Sequence, residues 1–179
     1  MKTVFFDIDS QLDFLYPAGA LYVPRAERIV PAIAHLNRFA AAHGIPVVST
    51  VDAHAENDPE FSVWPPHCVA GTWGQRKAEA TLVDGTSQII VEKRTVDVFQ
   101  SPNLVRVVER LSAVRYVVYG VVTEICVLFA ARGLLKTGKP VTLVTDAVES
   151  LTPEASARAL EEVLAAGGRL ATVSEICRV

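Results

Sequence analysis

Val114-Arg115-Tyr116-Val117-Val118-Tyr119-Gly120-Val121-Val122, followed at once by Thr123-Glu124-Ile125-Cys126, decides the fold. The run is apolar at nearly every position, which suits a strand buried on both faces of a sheet rather than one with a wet side. From Glu124 the spacing predicts a helix to about Thr137, and Val141 to Thr145 predicts the next strand. Strand, helix and strand in succession make the unit of a parallel sheet.

Working outward, the same alternation recurs. Thr3 to Ile8 reads as a strand, and Arg25 to His43 as a helix closed by Gly44. Ile45 to Val51 and Gln88 to Glu92 read as further buried strands, and Asn103 to Leu111 as a helix. A helix from Pro153 to Ala166 has Thr152 as its N-cap and Gly167-Gly168 as its stop, and Leu170 to Val173 makes a sixth strand. The expectation is one α/β domain over residues 1–179, a doubly wound, Rossmann-like, six-stranded parallel sheet flanked by helices. Residues 52–87, rich in Pro, His, Gly and Trp, break the alternation, and a long irregular stretch of that kind is usually functional or mobile.

Composition narrows the function. Half of the 179 residues are hydrophobic, enough for a full core without disulfide or metal staples. With 17 Lys and Arg against 20 Asp and Glu and no run of like charge, there is no basic footprint for nucleic acid or an anionic membrane, and a small neutral ligand fits better. No apolar run approaches the roughly 18 residues of a membrane span, and the amino-terminal segment lacks a signal-peptide cleavage pattern. Cys68, Cys126 and Cys177 cannot all pair, so they read as reduced thiols of a cytoplasmic protein.

In an open parallel sheet, ligands bind outside the carboxyl ends of the strands. Asp9, Asp52, Lys93 and Cys126 stand just after four of the buried runs and converge on that rim. A cysteine at a helix start, beside a Lys ammonium that favours thiolate, is a nucleophile; a nearby carboxylate can take and return its proton; and the helix start offers N–H groups to an oxyanion. Together they describe acyl transfer. Each has a plainer reading, since a Cys among Ile, Val and Leu is commonly an inert core residue and a lone Asp or Lys after a strand a cap. A second constellation, Asp52-Ala53-His54 followed by Trp64-Pro65-Pro66-His67, offers a carboxylate and two imidazoles to a divalent ion, with Glu60 as a fourth donor. The alternative is a pair of surface histidines in a polar loop.

Taken together these residues resemble the isochorismatase-like cysteine hydrolases, and within them the nicotinamidase branch. The resemblance runs nearly end to end. It is carried by Asp9-Ser10-Gln11-Leu12-Asp13-Phe14 with the Gly-rich turn Pro17-Ala18-Gly19-Ala20-Leu21, by Asp52-Ala53-His54, by Trp64-Pro65-Pro66-His67-Cys68-Val69-Ala70-Gly71-Thr72, by Lys93, and by Gly120 to Val127. It implies Asp9 as proton acceptor, Lys93 as stabiliser, Cys126 as the residue that forms a thioester, and a cis peptide at Val121-Val122 that aims the N–H groups of Val122 and Cys126 at the oxyanion. It also implies one divalent metal ion, Zn, Mn or Fe, on Asp52, His54, His67 and Glu60, and a substrate pocket of Phe14, Leu21, Trp64 and Ile125. The implied activity is hydrolysis of nicotinamide to nicotinate and ammonia in NAD salvage, by a homo-oligomer, dimer or tetramer. Glu60 stands where many members carry a third His, and Glu124-Ile125 where well-matched nicotinamidases often carry Asp-His, so another small carboxamide or a ureido compound is the alternative substrate. Phe5-Phe6-Asp7-Ile8-Asp9 also resembles the first motif of haloacid-dehalogenase-like phosphatases, but Ser10-Gln11 departs from the Gly-Thr expected next. A non-catalytic binding protein that kept the fold is the remaining rival.

Overall fold

The computed structural model describes residues 2–84 and 88–178; Gly85 to Ser87, at the end of the irregular stretch, lie outside the described residues. Six parallel strands form one sheet in the order β3-β2-β1-β4-β5-β6: β1 is Thr3–Ile8, β2 Val47–Asp52, β3 Gln88–Lys93, β4 Arg115–Val121, β5 Val141–Glu149 and β6 Arg169–Ala171. Every residue of β1 and β2 is buried, as the unbroken apolar runs require of central strands covered on both faces. The chain starts in mid-sheet, builds outward to β3, then returns to place β4 on the other side of β1. That reversal makes the carboxyl ends of β1 and β4 the switch point at which such sheets bind ligands.

The helices follow the expected order. A short α1 spans Leu12–Leu15, α2 Val30–Ala42, α3 Pro102–Leu111, α4 Leu128–Leu135, α5 Pro153–Ala165 and α6 Val173–Ile176. Thr152 caps α5 as anticipated, its side chain accepting a hydrogen bond from Ala155 N at 3.1 Å. No helix among the described residues is long and apolar enough to cross a membrane.

Several expected boundaries move. The helix anticipated from Arg25 opens with a 3-10 turn at Ala26–Ile29, and β2 begins at Val47, not Ile45. The helix anticipated from Glu124 begins as a single π turn, Thr123–Val127, before α4. β5 runs four residues past Thr145, to Glu149, because Asp146 and Glu149 interrupt the apolar pattern without breaking the pairing of Val148 and Glu149 with β4. β6 is Arg169–Ala171, one residue earlier and shorter than read.

Gly120 matters to the switch point. Its φ of +121° lets β4 pack closely on β1, where a Cβ would collide with the Ile8 carbonyl, and the register of β4 on β5 shifts between Val118 and Gly120. The Val121-Val122 peptide that follows is cis.

Candidate active site

Each strand end delivers one side chain to the rim. At the end of β1, Asp9 adopts φ +50°, a conformation that Asp tolerates better than bulkier residues, and the turn carries its carboxylate out over the sheet edge. Its N–H still bonds Thr50 O at 3.1 Å, and Thr50 Oγ1 donates to Asp9 Oδ1 at 2.7 Å. Asp52 and Lys93 are register partners at the ends of β2 and β3, so their side chains leave the sheet on the same face. Cys126 sits in the π turn after β4, where Ile125 N and Val127 N both donate to Val122 O, at 3.1 and 3.2 Å.

These four side chains meet. Lys93 Nζ lies 2.9 Å from Asp9 Oδ2, donates to Asp52 Oδ1, and approaches Cys126 Sγ at 3.7 Å. Asp9, Asp52, Lys93 and Cys126 are 1%, 4%, 3% and 8% exposed, so two carboxylates share one ammonium away from bulk water. Asp9 Oδ2 has no hydrogen-bond partner of good geometry despite its closeness to Lys93, which leaves it able to receive a proton.

Lys93 works toward the Cys126 thiolate, while burial pushes the thiol well above its ordinary range and Asp9 and Asp52 reinforce that rise. Burial likewise raises the Asp9 carboxyl, with Lys93 pulling it down and Asp52 pushing it up. For Lys93 burial works toward neutrality, but Asp9, Cys126 and Asp52 outweigh it and hold the ammonium charged. Raising Asp9 makes it a better proton acceptor than an ordinary carboxylate.

Beside this cluster lies the second constellation. His54 is fully buried just past β2, held by His54 N donating to Cys68 O and Ala70 N donating to His54 O. His67 follows the two prolines, its ring 4.8 Å from that of His54 and flanked by Phe61 and Phe14. Asp13 fixes this loop by accepting from Cys68 N at 2.7 Å and from Ala20 N at 2.9 Å, and Gly74 leaves room for its carboxylate. One ligand atom from each of Asp52, His54 and His67 lies within 4.8 Å of the others. Both ring nitrogens of His54 are buried without a hydrogen-bond partner, a costly state that a cation would relieve. His67 Nδ1 donates to Pro65 O at 2.8 Å, which leaves Nε2 as its ligand atom, and His54 Nδ1 faces Asp58 Oδ2 at 3.2 Å. The donor set fits one divalent ion. Glu60 lines the same cavity but stands outside the three-residue group.

A cavity lies between the two clusters. Asp9 and Cys126 face it on one side and Asp52, Glu60 and His67 on the other; Phe14, Leu21, Trp64 and Ile125, all anticipated, supply walls. Val23, Val96 and Leu151 also line it and were not anticipated, since single aliphatic residues in three separate loops carry no periodic signal. The phosphatase motif dissolves: Asp7 is fully buried on the opposite side of β1 from Asp9, accepting from Lys77 Nζ at 2.7 Å, Asn37 Nδ2 at 2.8 Å and Ser10 Oγ at 2.7 Å. Only one carboxylate of that pair reaches the cavity.

Relatives share this architecture. A nicotinamidase of Escherichia coli is 26% identical over 94% of this chain and 93% of its own. The crystal structure of a pyrazinamidase of Pyrococcus horikoshii in complex with zinc superposes with a TM-score of 0.88 at 32% identity, covering 96% of this chain and 99% of that one. A nicotinamidase/pyrazinamidase of Bacillus subtilis gives 0.90 at 27% identity, over 96% and 100%. Residues 3–175 match the isochorismatase domain, a span that holds all six strands, the Asp9, Lys93 and Cys126 cluster and the Asp52, His54 and His67 group, and the chain belongs to the isochorismatase family.

Proposed function

We propose that this protein is a cysteine amidohydrolase that converts nicotinamide to nicotinate and ammonia, with Cys126 as nucleophile, Asp9 as proton carrier and Lys93 as their shared counter-charge. The observation that carries this is Lys93 Nζ within reach of Asp9, Asp52 and Cys126, three residues that line one cavity. As Cys126 Sγ attacks the carboxamide carbon, its proton passes to Asp9 Oδ2. The N–H groups of Val122 and Cys126 receive the oxyanion. Asp9 then protonates the amine, the C–N bond breaks, and ammonia leaves a thioester on Cys126. Water attacks that carbonyl with Asp9 again as base, the C–S bond breaks, and the sulfur recovers its proton as nicotinate departs.

Asp52, His54 and His67, with Glu60 beside them, would hold the divalent ion, Zn, Mn or Fe, which when bound supplies a Lewis-acid anchor for the ring nitrogen of the substrate. Phe14 and Trp64 then pack the ring faces, while Leu21 and Ile125 close the walls. Among the described residues no Lys or Arg lines the cavity, so the carboxylate of a ureido acid would find no ammonium or guanidinium partner there. The three free thiols suit the cytoplasm, where the activity would serve NAD salvage in a single catalytic domain. The exposed apolar side chains Trp73, Ile90 and Leu82 near edge strand β3 support a homo-oligomer, dimer or tetramer.

An ammonia-release panel tests the reading. Nicotinamide and pyrazinamide are expected to be hydrolysed, benzamide at least about tenfold more slowly because it has no ring nitrogen to anchor, and chelator is expected to suppress the first two. Silence toward nicotinamide with turnover of a ureido compound would overturn it.

The pH profile tests Asp9 separately. Its raised pKa places the acid limb of kcat/KM above the ordinary carboxylate value of 3.8, because only the ionised form accepts the thiol proton. The stability linkage has the matching sign: a carboxyl raised in the folded state favours folding below its unfolded pKa and loses that contribution as pH rises through the folded value. Asp9→Asn is expected to reduce activity at least about 10³-fold at every pH. A variant retaining wild-type activity and an unchanged acid limb would remove Asp9 from the chemistry.

A further inference from the structure

Gln11 is fully buried, although it is a long polar residue in a tight turn, and the sequence reading gave it no role of its own. Its surroundings account for the burial. The main-chain register of β1 on β2 ends at Ile8 and Thr50, and Asp9 then turns out of the sheet. β2 continues for Val51 and Asp52, so the side of Asp52 facing β1 has lost its neighbouring strand.

The Gln11 side chain stands in that place. Asp52 N donates to Gln11 Oε1 at 2.6 Å, and Gln11 Nε2 donates to Asp52 O at 2.8 Å. A primary amide carries the same donor and acceptor as a peptide group, so the pair reproduces one rung of a β ladder. The second Nε2 hydrogen goes to Gln75 O at 2.7 Å, in a segment anchored by the bridge between Gln11 and Lys77 and by the buried ion pair of Lys77 with Asp7. On its other side Asp52 pairs with Lys93 in β3. Its carboxylate then serves two neighbours at once, accepting from Lys93 Nζ and facing His54 Nε2 at 3.9 Å.

We infer that Gln11 is a positioning residue, whose amide continues the β1 side of the ladder after the β1 main chain has turned away and so fixes Asp52 where one carboxylate serves both Lys93 and the metal-binding histidines. The inference rests on Asp52 being a metal ligand, as proposed above. Residues that orient metal ligands typically contribute 10–100-fold to affinity or activity.

The test compares Gln11→Glu, which keeps the volume and the acceptor for Asp52 N–H, with Gln11→Leu, which removes both bonds. Asn37→Leu serves as control, since it deletes an equally buried amide that bonds Asp7 and Thr81 O, away from the metal group. Metal-free protein is titrated with Zn²⁺ against a chelating dye, kcat and KM for nicotinamide are measured at saturating Zn²⁺, and thermal unfolding is followed for each. The Gln11 variants are expected to lose at least about tenfold in Zn²⁺ affinity and about tenfold in kcat, with KM at saturating metal changing less. Asn37→Leu is expected to lose thermal stability while keeping Zn²⁺ affinity. Folded Gln11 variants that bind Zn²⁺ as the wild type does, or an equal loss in Asn37→Leu, would overturn the inference. Should Gln11→Leu fail to fold, Gln11→Glu decides. A wild type that binds Zn²⁺ but releases no ammonia defeats the amidase reading alone, and the Zn²⁺ titration still judges Gln11; a wild type that binds no Zn²⁺ defeats the inference together with the metal site.

Discussion

Replacing Cys126 by alanine is expected to lower kcat/KM for nicotinamide by at least about 10⁴-fold, because deleting the nucleophile of a concerted set removes nearly all that the set achieves. The fold is expected to survive. The change removes one sulfur atom from a position at the cavity wall, a loss of about 1 kcal/mol or less, equivalent to a few degrees in Tm for a chain of this size. Alkylation offers a second view of the same residue. Cys126 opens on the cavity and Cys177 is partly exposed, whereas Cys68 is fully buried and does not line the cavity, so iodoacetamide is expected to modify Cys126 and Cys177 but not Cys68. Inactivation should track the Cys126 peptide in mass spectrometry, and nicotinate should protect it. An alanine variant within tenfold of wild type would move the nucleophile elsewhere.

How much of this was legible in the sequence depended on the kind of interaction. Parallel strands buried on both faces announce themselves as unbroken apolar runs, and so β1, β2 and β4 were in view with the rim residues Asp9, Asp52, Lys93 and Cys126; β3 was read as buried too, although as the edge strand it leaves Ile90 and Glu92 exposed. The end of β5 was hidden because Asp146 and Glu149 look like turn residues although the backbone continues to pair. That Lys93 stands near Cys126 was legible from the strand ends, but not that Asp9 and Asp52 share the same ammonium or that burial works against the thiolate. Gln11 shows a further limit. Its partners Asp52 and Gln75 lie 41 and 64 residues away, and a side chain that substitutes for a strand leaves no periodicity; the spacing of Asp9, Gln11 and Asp13 was the one available signal, and it marked a motif without giving the reason for it. Asp7 was the converse case, a conspicuous acidic residue whose carboxylate is spent on structural bonds from Lys77, Ser10 and Asn37.

Lys93→Met is expected to cost about 3–5 kcal/mol of stability near neutral pH and at least about 10³-fold in kcat/KM. Methionine fills most of the lysine volume, so the loss is electrostatic. Without the ammonium, Asp9 and Asp52 remain at the rim with no lysine between them, their side chains only 1% and 5% exposed. The cheapest escape is for one of them to take a proton. Lys93 is what holds the Asp9 carboxyl down against burial and the Asp52 charge, so its removal raises that carboxyl further. A carboxyl raised in the folded state supports folding below its unfolded pKa and withdraws support as pH rises through the folded one, so the deficit of the variant should be smallest in acid and grow as pH rises through the raised Asp9 pKa. The protonated Asp9 that rescues the fold is also unable to accept the Cys126 proton, so conditions that restore stability cannot restore turnover. Adding Asp52→Asn removes one of the two stranded charges, and the double variant should recover much of the stability and none of the activity, a coupling that a cycle of unfolding measurements would resolve. A Lys93→Met protein as stable as wild type at pH 8 would mean that the two carboxylates do not rely on this ammonium, and the proton transfer drawn between Cys126 and Asp9 would lose the charge that makes it downhill.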